Sequence, residues 1–141
     1  MIRIAIADDH HQVRETWNFI LSTNKSFQVV ATCCNGKEAV EAAAAHNPDV
    51  ILMDINMDLM TGIEATEIIT ASQPNIRIVA MSIHVEPVYV RKMLNAGAFA
   101  YVTKNSSYTE VFDAIEKAYD GKKYICLEVQ EVMPELSNEI Y

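Results

Sequence analysis

Short, unbroken apolar runs alternate along this chain with longer stretches whose apolar positions recur every three or four residues. Residues 2–7 are apolar except for Arg3 and read as a buried strand. Val13, Trp17, Ile20 and Leu21 then fall at helical spacing and place a first helix over residues 10–21. Asn24, Lys25 and Ser26 make a turn, and the β-branched run at 27–33 predicts a second strand. Asn35 and Glu38 have the spacing of a capping box, in which a short polar side chain satisfies free amides and the glutamate reaches back. Ala39, Val40 and Ala43 give that second helix a thin apolar face, and Asn47 with Pro48 ends it.

After Pro48 comes Asp49 and then the unbroken apolar run 50–53, short enough to read as a strand buried on both faces. It stops at Asp54. Thr61 and Glu64 repeat the capping-box spacing and open a third helix, expected to bury Ile68 and Ile69 and to stop before Pro74. Residues 76–81 form a fourth strand, followed by Ser82. Glu86 and Pro87 start a fourth helix, and Gly97 stands just past its end, where a positive φ is commonly needed. Residues 99–102 make a short fifth strand leading into Thr103 and Lys104. Ser107 and Glu110 give a third capping pattern, opening a fifth helix lined by Val111, Phe112, Ile115, Ala118 and Tyr119 and ended by Gly121. Five strands alternating with five helices mean parallel strands joined by right-handed crossovers. The fold class expected is therefore a flavodoxin-like, doubly wound α/β domain with strand order 2-1-3-4-5.

Composition narrows the function. The chain has 141 residues and a net charge of −8, from 19 acidic residues against 11 lysines and arginines. That balance argues against direct nucleic-acid binding, which needs clustered cations on the phosphates. Cys33, Cys34 and Cys126 form neither a disulfide framework nor a zinc spacing, so a reducing cytoplasm is the expected compartment. The first residues enter a strand without a signal peptide, and no apolar run is long enough for a membrane span. One domain over residues 1–121 is expected, followed by a tail at 122–141.

The chemistry gathers at the strand ends. Asp8 and Asp9 follow the first strand, Asp54 the third, Ser82 the fourth and Lys104 the fifth, and a parallel sheet puts all of these on one edge. Taken singly each has a plainer reading: Asp54 or Asp9 as a helix or turn cap, Lys104 as a solvated charge. Together they are harder to dismiss. Three crowded carboxylates bind protons unless a cation joins them, and an all-oxygen set favours a hard ion, Mg²⁺ above all. A lysine and a hydroxyl beside such a metal are suited to a phosphoryl group, with the central aspartate as nucleophile.

On those residues the chain resembles the receiver domain of two-component response regulators, over residues 2–121. The resemblance rests on Asp8, Asp9, Asp54 within the stretch 54–62, Ser82, Lys104, and Tyr101 three residues before the lysine. It implies a phosphorylation-dependent switch that accepts phosphate from a histidine kinase on Asp54. Mg²⁺ would be held by Asp9, Asp54 and the Asn56 backbone carbonyl, with Asp8 assisting. Lys104 and Ser82 would bind the phosphoryl oxygens, Asn56 and His84 would tune its lifetime, and Ser82 with Tyr101 would relay the switch. The face of the fourth helix, fifth strand and fifth helix would carry the change to a partner, including a phosphorylation-linked homodimer. Residues 81–84 and 101–107 look like the NarL/FixJ branch, whose receivers precede a LuxR-type helix-turn-helix, so DNA contact would come through a further C-terminal domain.

Two departures stand out. Asp58 replaces a usual proline, freeing the loop and adding a fourth acid near the metal, and Asn105 replaces a usual cis proline. A non-proline cis bond costs about 3 kcal/mol, so the bond after Lys104 is expected to be trans. His10, His11, His46 and His84 lack metal-ligand spacing, and all but His84 are read as surface residues. Other readings of the whole are a stand-alone receiver acting through protein contacts or a phosphorelay, and, further off, a Mg²⁺-dependent phosphatase with an aspartate nucleophile. The phosphatase type wants a second acid where Asn56 stands. In the tail, Val129, Val132, Met133, Leu136 and Ile140 share one helical face, but Pro134 predicts a break near Met133. That tail is read as a linker toward a further domain.

Overall fold

The computed structural model describes residues 1–136. Its strands are β1 (Ile2–Ala7), β2 (Phe27–Cys33), β3 (Val50–Met53), β4 (Arg77–Ser82), β5 (Ala100–Thr103) and β6 (Tyr124–Ile125). Its helices are α1 (His11–Ser22), α2 (Gly36–His46), α3 (Gly62–Ser72), α4 (Pro87–Ala96), α5 (Tyr108–Tyr119) and α6 (Leu127–Val132), with a 3-10 turn at Pro134–Leu136. All strand pairs are parallel, in the order β2-β1-β3-β4-β5-β6. The expected doubly wound sheet is present and carries one further strand at its β5 edge.

The central strands explain their own position. Every residue of β3 and of β5 is buried, so these apolar runs have both faces covered. Helices α2, α3 and α4 pack in a row, while α1 covers β1 and β2, and α5 covers β3, β4 and β5. Phe112 on α5 meets Phe27 edge-on at 5.3 Å between ring centroids.

Capping follows the sequence with two differences. The Thr61–Glu64 box is complete, each side chain bonded to the other's backbone. At α2, Asn35 accepts from the Glu38 amide at 2.8 Å, but the Glu38 carboxylate reaches the Cys34 amide instead of that of Asn35. At α5, Ser107 accepts from the Glu110 amide, whereas the Glu110 carboxylate turns away to Tyr124 and Leu127. On α3, Ile69 is buried but Ile68 is 42% exposed, contrary to expectation. The buried face of α3 is made by Gly62, Ala65, Thr66 and Ile69, and Ile68 lies about 100° round the helix from Ile69 on the side away from Thr66.

Residues 122–136 do more than lead away from the domain. Tyr124 and Ile125 pair with Ala100 and Tyr101, and Cys126 donates its amide to the Tyr101 carbonyl at 3.0 Å. Ile125, Cys126, Val129 and Met133 are fully buried. Helix α6 stops at Met133 and the chain restarts as the 3-10 turn at Pro134, the break that proline imposes on a helix interior. Ile140 lies outside the described residues.

Candidate functional site

Register builds the site. Ala7 pairs with Met53, and Asp54 donates its amide to the Ala7 carbonyl at 2.9 Å, so Asp8 and Asp54 leave their strands at one level. Ser82 pairs with Thr103, and Lys104 donates its amide to the Ser82 carbonyl at 3.0 Å. Four strand ends thereby bring two carboxylates, a hydroxyl and an ammonium to one edge.

The side chains then close on each other. Lys104 Nζ stands 2.8 Å from Asp8 Oδ2 and 3.3 Å from Asp54 Oδ2, with Asp8 and Asp54 buried and the lysine partly so. Asp54 Oδ1 accepts from the Ile55 amide at 2.8 Å. Burial, and after it the negative charge of Asp8, push the Asp54 carboxyl above its usual range; Lys104 pulls in the opposite direction without cancelling them. Burial disfavours the Lys104 ammonium, yet the hydrogen bond it donates to Asp8 and the two carboxylate charges outweigh it and raise the lysine.

A glycine lets the loop close. A Cβ on Gly62 would stand 1.8 Å from the Asp54 carbonyl oxygen, so only glycine admits this approach of α3 to the β3 end. Gly62 donates to the Ile55 carbonyl and Gly36 to that of Met60, fastening the loop where a proline was missing. Leu59 takes a positive φ of 65° in that loop, and the exposed Asp58 side chain stays outside the carboxylate cluster. Among the described residues every peptide bond is trans, including the one after Lys104.

On the β4 side, His84 is a hub. Its Nε2 lies 2.8 Å from Asn56 Nδ2, its Nδ1 lies 3.3 Å from Glu86 Oε2, and its ring stacks on Tyr89 at 3.9 Å. The His84 amide donates to Ser82 Oγ at 3.1 Å, and its carbonyl accepts from the Tyr101 hydroxyl at 2.8 Å. Tyr101 is fully buried, and that burial pushes its phenol well above its usual range.

Asp9 and His10 complete the cluster. His10 Nδ1 lies 3.0 Å from Asp9 Oδ1 and 3.2 Å from Asp8 Oδ1, and the His10 amide also donates to Asp8 Oδ1. One oxygen of each of Asp8, Asp9 and Asp54 and one nitrogen of His10 all lie within 4.8 Å of one another. The His10 ring is exposed, as a surface residue should be, but it stands in the site. Its adjacency to the Asp8–Asp9 pair was the available signal. His11 and His46 are exposed and outside this cluster.

Comparison with known proteins decides the family: residues 4–116 match the response regulator receiver domain. The chain belongs to that family. It is 39% identical over 124 residues to the transcriptional regulatory protein DegU of Brevibacillus brevis, covering 88% of this chain and 52% of the relative. It is 34% identical over 131 residues to the response regulator GacA of Pseudomonas viridiflava, covering 93% and 61%. The chain thus spans between half and two thirds of the length of these curated relatives. Among solved structures, a LuxR-family two-component response regulator from Aurantimonas superposes with a TM-score of 0.91 at 30% identity, over 96% of both chains. The receiver domain of the putative response regulator NarL from Mycobacterium tuberculosis gives 0.82 at 32%, over 86% and 98%.

Receivers of this kind work in two-component signalling and bind Mg²⁺ at an acidic pocket, and the donors here suit that ion. Asp8, Asp9 and Asp54 offer hard oxygens with no thiolate among them, and the Lys104 ammonium shows that the pocket is shaped around a positive charge. Among the described residues, no helix is long and apolar enough to cross a membrane.

Proposed function

We propose that this receiver takes a phosphoryl group from a histidine kinase onto Asp54 and signals through its carboxyl-terminal segment. The observation that carries this is the Asp54 carboxylate itself, buried at the end of β3 with Oδ2 turned to Lys104 and Oδ1 tied to the Ile55 amide. A carboxylate oxygen would attack phosphorus as the N–P bond of a phosphohistidine breaks, the electron pair and a proton going to the leaving imidazole. Lys104 stays beside the reacting oxygen and neutralises charge that develops on the phosphoryl oxygens. Ser82, buried at the end of β4, offers a hydroxyl to one of those oxygens. Asp9, Asp54 and the Asn56 backbone carbonyl would hold Mg²⁺, with Asp8 assisting, and the bound ion would neutralise charge on the transferring group. The receiver catalyses only its own phosphorylation and dephosphorylation. Asn56 stands where a phosphatase of the aspartate-nucleophile type wants its second acid, and its amide is bonded to His84, which supports the receiver reading.

Output is the second half of the proposal. The expected output face of α4, β5 and α5 is the place where the carboxyl-terminal segment docks: Arg91 on α4 pairs with Glu135 at 2.9 Å, Glu128 on α6 bonds Thr103 on β5, and Glu110 on α5 takes the Leu127 amide. Thr103 is the residue before Lys104, so a side chain of α6 is bonded to the neighbour of the site lysine. We take β6 and α6 as the route by which Asp54 phosphorylation reaches a following LuxR-type DNA-binding domain, or a second copy of the receiver. The length of the chain relative to its relatives supports a further domain, and its acidity supports leaving DNA contact to that domain. The three free cysteines support a reducing, cytoplasmic setting.

The test is incorporation of phosphate from a small phosphodonor with Mg²⁺ present, read by intact mass. Wild type is expected to gain one phosphoryl group, Asp54→Asn none, and Asp9→Ala little. Stable labelling of the Asp54→Asn protein would overturn the assignment.

A further inference from the structure

We propose that His10 is a ligand of the receiver's metal site, making it a mixed nitrogen and oxygen site that favours a first-row transition ion over Mg²⁺. The proposal rests on the metal-binding reading above and adds to it the nitrogen that the all-oxygen set lacks. Three observations carry it. His10 Nδ1, not Nε2, faces the carboxylates, at 3.0 Å from Asp9 Oδ1 and 3.2 Å from Asp8 Oδ1. An ion with bonds of about 2.1 Å in octahedral geometry sets neighbouring ligand atoms about 3 Å apart, which is the spacing found. Among the described residues, a ring nitrogen of His10 lies within 4.8 Å of a carboxylate oxygen of each of Asp8, Asp9 and Asp54, so the ring reaches the pocket and not merely one acid.

The backbone fixes this placement. His10 is the N-cap residue of α1 in an extended conformation, and it makes no side-chain cap bond to the helix. Its ring is therefore not spent on the free amides of the first turn, the usual duty of a polar side chain at that position. The His10 amide holds Asp8 Oδ1 at 2.8 Å, and Arg14 donates to the Asp8 carbonyl at 2.7 Å, so the turn carrying both residues is tied down from two sides. With the ring in the Nε2–H tautomer, the Nδ1 lone pair points where the carboxylate oxygens converge.

Chemistry then sets the preference. Mg²⁺ selects oxygen and water and takes little from an imidazole, whereas affinity for nitrogen-containing sites rises from Mn²⁺ along the first-row divalent ions. An added imidazole thus separates Mn²⁺ from Mg²⁺, a distinction that three carboxylates alone make weakly.

The experiment uses the full chain with Mn²⁺ and Mg²⁺ as the probes. Electron spin-echo envelope modulation of the Mn²⁺-loaded protein is expected to show a directly bound imidazole nitrogen, absent from His10→Ala and from His10→Asn. Asparagine presents an amide oxygen near the Nδ1 position and so restores a donor without the nitrogen. Quenching of Trp17, which shares a groove with Lys104, gives both affinities. The ratio of Mn²⁺ to Mg²⁺ affinity is expected to fall about tenfold in both variants. Mn²⁺ binding to wild type with no nitrogen modulation, or an unchanged ratio in His10→Ala, would overturn the role of His10. Failure of both ions to bind wild type would instead overturn the metal site as a whole.

Discussion

Asn56 and His84, 28 residues apart in sequence, are joined side chain to side chain at 2.8 Å across the mouth of the pocket. The amide donates to Nε2, which leaves the imidazole proton on Nδ1, toward Glu86 at 3.3 Å. The ring is further held by its stack on Tyr89. Two residues that flank the phosphoacceptor are therefore one bridged unit.

That bridge predicts how the phosphorylated state decays. Asn56→Ala and His84→Ala are each expected to leave Asp54 phosphorylation possible and to change the decay of the acyl phosphate. A hydrogen bond of about 1 kcal/mol corresponds to about fivefold in rate. The double variant should change the rate no more than the larger single change, because both remove the same contact. Independent, multiplying effects in a decay assay would show that the two residues act separately.

The buried Asp54 predicts a pH dependence of stability. Its folded pKa is raised, first by burial and then by Asp8, above the ordinary carboxylate value of about 3.9. A raised acid contributes stability that is whole below the unfolded pKa and lost as pH rises through the folded one. Asp54→Asn removes this penalty. In chelator, the variant is expected to unfold at a higher temperature than wild type at pH 7, with the difference vanishing in acid below the carboxylate range. An equal gain at both pH values would assign the effect to packing instead of charge.

Tyr101 predicts a separation of stability from signalling. Its ring is fully buried and its hydroxyl bonds the His84 carbonyl, so it ties β5 to the loop after β4. Tyr101→Ala should cost about 3–5 kcal/mol through the cavity it leaves. Tyr101→Phe keeps the ring and loses the bond. It is expected to stay folded and accept phosphate while weakening any phosphorylation-dependent self-association, measured by sedimentation. Full retention of that response in Tyr101→Phe would remove the hydroxyl from the relay.

What the sequence made legible follows from length scale. Asp8, Asp54, Ser82 and Lys104 could be placed because each ends an apolar run, and parallel strands put those ends on one edge. The His84 contacts could not be placed, since the loop from Ile83 to Glu86 has no periodicity to orient a ring. His10 lacks metal-ligand spacing in the sequence and reads as a surface residue; its exposure is real, but neither spacing nor exposure reports which neighbours a side chain meets. The Ser107–Glu110 spacing correctly gave the cap at Ser107, yet spacing alone does not say that the Glu110 carboxylate bonds Tyr124 and Leu127 instead. Strand β6 has two residues, too few for an alternation to show.

The last prediction concerns that strand and the helix after it. Residues 122–141 read as a linker, and deletion of a linker leaves a receiver's stability unchanged. The packing argues otherwise. Ile125, Val129 and Met133 are fully buried, and burying an aliphatic side chain of this size is worth about 1.5–3 kcal/mol. Their loss together is of the order of the 5–15 kcal/mol by which a domain is stable at all. Deletion also strips β5 of its β6 neighbour, leaving the Phe99 and Tyr101 carbonyls without the Tyr124 and Cys126 amides. Removing residues 124–141 is therefore expected to lower the urea midpoint severely or abolish cooperative unfolding. Because truncation removes many contacts at once, Glu110→Ala provides the finer measurement. It leaves the Tyr124 hydroxyl and the Leu127 amide without their shared acceptor, a cost of about 1–3 kcal/mol. A truncated protein with an unchanged midpoint, together with a neutral Glu110→Ala, would return residues 122–136 to the role of a linker.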